Sequence, residues 1–121
     1  MKFRFDCIFY YCSNLDRSIR FYTEVLGFKF LSRDMVARFD VDGVRFEIVP
    51  GLQSDQFTQP GNARLGLRVD DVAAALQELK TKAVRVNPVH EKGVGVLGTL
   101  YDPDGNEICL WQYAGSVATS G

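Results

Sequence analysis

The sequence predicts an α+β fold made of two paired βαβββ modules, and three observations predict it. The order strand, helix, strand, strand, strand occurs twice along the 121 residues. Sliding Cys7 onto Arg64 lays Ile8 on Leu65, Tyr10 on Leu67, Cys12 on Val69, Leu15 on Val72, Ile19 on Leu76 and Tyr22 on Leu79. An Asp-X-Asp-Gly turn also recurs, as Asp40-Val41-Asp42-Gly43 and Asp102-Pro103-Asp104-Gly105. Superposing the two turns puts Glu47 on Cys109. A half-length unit buries little core by itself, so the two are expected to pack together.

Each element has a local reason. Phe5–Cys12 is an apolar run of strand length. Asn14 caps a helix over Leu15–Leu26, whose stripe is Leu15, Ile19, Tyr22 and Leu26 and whose stop is Gly27. Phe28–Ser32, Met35–Val41 and Val44–Val49 read as strands. Asp42-Gly43 suits a two-residue type I′ turn. That turn pairs Val41 with Val44, Phe39 with Phe46, and Ala37 with Ile48. Asp40 then meets Arg45 and Arg38 meets Glu47 as opposite-charge pairs.

Residues 50–62 form a polar connector. Ala63–Val69 is a strand, and Asp70-Asp71 caps a helix with Val72, Leu76 and Leu79 as its buried stripe. Val84–Val89 is a strand interrupted by Pro88, and Glu91–Gly95 a loop. Val96–Tyr101 and Asn106–Tyr113 form the closing hairpin, where Pro103 presets φ and Gly105 accepts φ > 0. The modules span about 5–49 and 63–113 of one domain, with 114–121 as a flexible tail.

With 46% hydrophobic and 24% charged residues, the composition is that of a globular protein. A net charge of −1 without a basic run argues against nucleic acid. No apolar run reaches spanning length and the first residues form no signal peptide, so a cytoplasmic protein without a membrane partner is expected. Three scattered cysteines make no disulfide framework. His90, the one histidine, reads as a surface residue, and Lys92-Gly93-Val94-Gly95 lacks the pattern of a phosphate loop.

Period-2 alternation sorts the strand residues onto two faces. Ile8, Tyr10, Cys12, Phe46, Ile48, Leu65, Leu67, Val69, Ile108 and Leu110 should pack under the helices. The other face collects Cys7, Phe9, Tyr11, Arg38, Arg45, Glu47, Arg64, Arg68, Cys109, Trp111 and Tyr113. That set is too polar for a core and too aromatic for a plain solvent face. It suits a small-molecule site. A dimer interface and an ordinary wetted sheet face are the alternatives.

The stretch from Phe5-Asp6-Cys7 through Leu15-Asp16-Arg17-Ser18-Ile19-Arg20-Phe21-Tyr22 to Val25-Leu26-Gly27-Phe28 resembles the opening module of the vicinal oxygen chelate superfamily. That group holds glyoxalase I, bleomycin-resistance proteins and extradiol dioxygenases. Arg64–Asp71 resembles the start of its second module, and Asp102-Pro103-Asp104-Gly105-Asn106 its closing turn. The resemblance implies sheets curling around a central cleft, often in a homodimer. It also implies metal ligands at four positions, here Cys7, Glu47, Arg64 and Cys109, where His or Gln, Glu, His and Glu are usual. Only Glu47 keeps the type, and Arg64 offers a cation and no lone pair. No metal and no other cofactor is therefore expected, although a divalent metal is the family norm. A Cys7–Cys109 disulfide is conceivable if the strands approach, but a reducing cytosol argues against it.

The leading expectation is metal-independent binding of a small molecule in the cleft, as in the drug-sequestering antibiotic-resistance members. Phe9, Tyr11, Trp111 and Tyr113 would stack a planar ligand, while Arg64, Arg38 or Arg68 would pair with an anionic group and Glu47 would line the site. One alternative is a metal-dependent lyase, isomerase or dioxygenase, using residual Cys and Glu donors or Glu47 as general base. The other is a structural or regulatory dimer without a ligand, closed by an Arg64–Glu47 bridge.

Overall fold

Capping residues and tight turns set the boundaries of each element. The computed structural model describes residues 1–52 and 63–114. Most of the predicted connector, and all but the first residue of the predicted tail, lie outside the described residues. The chain divides into two compact units, Met1–Thr58 and Gln59–Gly121. Each repeats the same architecture, one helix on a four-stranded sheet.

In unit 1, β1 (Ile8–Cys12) leads to α1 (Leu15–Arg20), then β2 (Lys29–Arg33), β3 (Ala37–Val41) and β4 (Val44–Pro50). The sheet order is β1-β4-β3-β2, with β1 parallel to β4. Asn14 caps α1, its side chain accepting the Arg17 N–H at 3.0 Å. Both Asp42 (φ 53°) and Gly43 (φ 85°) have positive φ, as a type I′ turn requires. The predicted hairpin register holds at all five pairs, from Val41 with Val44 to Ala37 with Ile48.

Unit 1 departs from expectation in several details, among them the strand expected from Met35, which begins at Ala37. The first strand starts at Ile8, and Phe5 is 75% exposed. The first helix stays α-helical only to Arg20, and Phe21–Val25 continue it as a π-helical turn. Leu26 N–H accordingly reaches back to Phe21 O at 3.1 Å. The buried set on this segment is Ser18, Phe21 and Tyr22, a stripe at i, i+3 and i+4 in place of Leu15, Ile19, Tyr22 and Leu26. Two adjacent aromatics thus enter the core. Tyr22 lies 5.0 Å from Phe46, 5.5 Å from Phe28 and 5.9 Å from Phe39 between ring centroids.

In unit 2, β5 (Leu65–Arg68) leads to α2 (Val72–Thr81), then β6 (Val86–Lys92), β7 (Gly95–Tyr101) and β8 (Glu107–Tyr113). The order β5-β8-β7-β6, with β5 parallel to β8, reproduces unit 1. Asp71 caps α2 by accepting the Ala74 N–H at 3.0 Å, and Val72, Leu76 and Leu79 are its buried residues, as the spacing predicts. At Gly98 a Cβ would stand 2.6 Å from Val72 Cγ1, so α2 packs directly on the β7 backbone.

The sixth strand runs on to Lys92, past the predicted stop at Val89. Glu91 and Lys92, expected in a loop, pair with Val96 and Gly95. Pro88 is accommodated because β6 is an edge strand and the register shifts between Asn87 and His90. The Asp102-Pro103-Asp104-Gly105 turn is tied by Asp102. Its Oδ1 accepts the N–H groups of Asp104 and Asn106, both at 2.9 Å, and its Oδ2 accepts Asn106 Nδ2 at 2.8 Å. Among the described residues, no helix is long and apolar enough to cross a membrane.

Candidate functional site

The side chains predicted to share a face do so within each unit, on the sheet side opposite the helix. In unit 1, Cys12, Phe46 and Ile48 are buried on the helix side, whereas Phe9 is 47% and Tyr11 48% exposed. The Phe9 and Tyr11 rings meet edge to face, 5.5 Å between centroids. Parallel pairing sets Phe9 beside Glu47, and antiparallel pairing sets Arg38 on the other side of Glu47.

Glu47 is the electrostatic node of this face. Its Oε2 lies 3.7 Å from Arg38 Nε and 3.9 Å from Arg45 Nη1. Arg45 was expected to pair with Asp40; it keeps that register but turns along its own strand to Glu47. The reason is the length of the guanidinium side chain, which reaches the next residue on the same face. Arg38 also holds Asp34, Nη1 to Oδ2 at 3.0 Å, and this hydrogen bond raises the arginine's already high pKa.

Cys7 immediately precedes β1. Burial raises its thiol pKa first, and the negative charges of Glu47 and Asp6 add to the rise. Beside it, a hollow of about 370 Å³ is lined by Phe5, Asp6, Leu31, Asp40, Val44 and Arg45.

The equivalent face of unit 2 is arranged in rows across its strands. The first row is Arg64, Glu107, Tyr101 and Arg85. Arg64 Nε donates to Glu107 Oε2, and the Tyr101 hydroxyl donates to Glu107 Oε1 at 3.1 Å. Asn87 Nδ2 donates to the Tyr101 oxygen at 2.8 Å, and the Arg85 guanidinium lies 3.9 Å from the Tyr101 ring centroid. The next row is small and polar, with Gly66, Cys109, Thr99 and Asn87 side by side. The third row places Arg68, Trp111 and Leu97 together. Beyond it, Tyr113 meets Trp111 at 5.7 Å and Arg68 at 5.3 Å. Successive rows on one face stand about 7 Å apart.

The alternation pattern thus placed Arg64, Arg68, Cys109, Trp111 and Tyr113 together. It missed Glu107, Tyr101, Asn87 and Arg85. Extending the same period two residues back from Cys109 reaches Glu107, and the hairpin carries it across to Tyr101. The bridge of Arg64 to Glu47 was one expected arrangement; the arginine instead finds a carboxylate on its own sheet, Glu107.

The donor chemistry at the four ligand-equivalent positions is poor for a divalent metal. Unit 1 offers the Cys7 thiol and a Glu47 already engaged by two arginines. Unit 2 offers Cys109, raised in pKa by burial and then by Glu107, and Arg64, a cation. A metal takes the thiolate, which both environments disfavour. Among the described residues no three His, Cys, Asp or Glu side chains are placed to hold a metal. Cys7, Cys12 and Cys109 are all free thiols.

Comparison with known proteins agrees with this architecture. FosX, a fosfomycin resistance protein from Listeria monocytogenes, superposes with a TM-score of 0.77 at 16% identity, over 93% of this chain and 94% of that one. TnmS3, an antibiotic binding protein from Streptomyces sp. CB03234, gives 0.69 at 23% identity, over 93% and 99%. Lactoylglutathione lyase from Agrobacterium tumefaciens gives 0.72 at 14% identity, over 90% and 92%. No curated protein sequence matches the chain significantly. The family model that matches residues 4–110 spans both repeats, and the chain belongs to the Glyoxalase/Bleomycin resistance protein/Dioxygenase superfamily.

Proposed function

We propose that this chain binds a small planar molecule on the helix-free faces of its sheets, without a metal. The observation that carries the reading is the pair of partly exposed aromatic sets, Phe9 with Tyr11 and Trp111 with Tyr113, each beside ionic groups. Aromatic rings of this kind stack flat ligands, and neighbouring polar groups orient them. The antibiotic binding neighbour supports the reading. An enzymatic role through Glu47 is less well supported, because both Arg38 and Arg45 engage its carboxylate. A homodimer is part of the proposal. It is supported by the edge strand β2, exposed at all five residues and carrying Phe30 and Leu31.

Fluorescence tests the binding. N-phenyl-1-naphthylamine, a neutral aromatic probe, is titrated into protein treated with a chelator. Saturable enhancement of probe emission is expected, and Trp111→Leu should weaken it by about five- to tenfold, the worth of one stacking contact. A probe that binds only after zinc or nickel is added, or not at all, contradicts the reading.

A further inference from the structure

The charges on the helix-free face of unit 2 are unequal. Among the described residues, Arg64, Arg68 and Arg85 lie there with the Glu107 carboxylate. Arg64 and Glu107 neutralise one another, and the remaining Glu107 oxygen is held by the Tyr101 hydroxyl. Arg85 is different. It is exposed, it rests on the Tyr101 ring, and among the described residues it contacts no carboxylate. Its charge is positioned without being cancelled. A guanidinium held on an aromatic face keeps its in-plane N–H donors for a carboxylate, sulfonate or phosphate.

We propose that this face of unit 2 is a site for aromatic anions, with Trp111 taking the ring system and Arg85 reading the negative group. The proposal rests on the small-molecule reading above and adds the ligand's charge and the residue that recognises it. Arg64, which the sequence offered for that role, instead fixes Glu107, and through it Tyr101 and the platform under Arg85.

The spacing supports the assignment. The Trp111 row and the Arg85 row lie about 13 Å apart along the strands. Between them are Cys109 and Thr99, with Gly66 alongside, where even an added Cβ would meet nothing within 4 Å. A two- or three-ring acid fits that length, with the long arginine side chain reaching toward it.

The test compares two probes with the same rings. 8-Anilinonaphthalene-1-sulfonate carries a sulfonate and N-phenyl-1-naphthylamine does not. The native protein should bind the sulfonate at least about tenfold more tightly, the worth of a charge-assisted contact. The preference should shrink as salt rises. In Arg85→Gln the two probes should bind with similar affinity, while Arg85→Lys should retain part of the preference. Far-UV circular dichroism verifies that both variants fold. Equal affinities in the native protein, or a preference that survives Arg85→Gln, would overturn the anion assignment and leave planar-ligand binding standing. Binding of neither probe would overturn both.

Discussion

Asp102→Ala should lower stability by about 3–5 kcal/mol in urea or guanidinium unfolding, the largest loss expected outside the aromatic core. Asp102 is 4% exposed and its carboxylate accepts three hydrogen bonds within the closing turn. Alanine removes the acceptor and leaves the Asp104 and Asn106 N–H groups, with the Asn106 amide, in a buried turn. Each stranded donor costs about 1–3 kcal/mol, and the three are not additive. Pro103→Ala, one position along, should cost only about 0.4–1 kcal/mol, since it relaxes the unfolded chain and removes no acceptor. Equal losses from the two variants would show that the turn acts through its backbone shape and not through Asp102.

The second large effect belongs to unit 1. Tyr22→Ala should cost about 3–5 kcal/mol, the range for deleting a buried aromatic. Tyr22 is fully buried, with its ring centroid within 6 Å of Phe21, Phe28, Phe39 and Phe46. Small rearrangements cannot refill that volume, because the neighbouring rings come from both the sheet and the helix. Tyr22→Phe should cost far less, since it keeps the ring. Denaturant unfolding monitored by far-UV circular dichroism separates the two. A small loss from Tyr22→Ala would contradict the placement of this ring at the centre of the aromatic core.

Strand register was legible in the sequence because two short-range rules determine it. A type I′ turn at Asp42-Gly43 leaves one pairing, and the side-chain period of two then assigns every residue to a face. The same rules, carried across the repeat, correctly grouped Arg64, Cys109, Trp111 and Tyr113. The first helix was less legible. Leu15, Ile19, Tyr22 and Leu26 form one stripe at helical spacing, and Ser18, Phe21 and Tyr22 form another at i, i+3 and i+4; packing selects the second. Charge partners were least legible. Arg45 pairs with Glu47 and Arg64 with Glu107 because a guanidinium selects among several carboxylates within its reach. Register limits that choice without deciding it. Arg85 lay inside the strand expected over Val84–Val89, but that Pro88-interrupted strand was not sorted onto a face, and the observed strand begins one residue later, at Val86. Its position emerges only once Tyr101 is seen beneath it.

The central claim is that the helix-free sheet faces hold an aromatic ligand without a metal. Amide chemical-shift mapping of chelator-treated, ¹⁵N-labelled protein during titration with 8-anilinonaphthalene-1-sulfonate tests it most directly. The account predicts saturable shifts centred on Gly66, Thr99, Cys109 and Trp111, with a second set near Phe9 and Tyr11 if unit 1 also binds. Shifts confined to the outer faces of α1 and α2, or appearing only after a divalent metal is added, would contradict it.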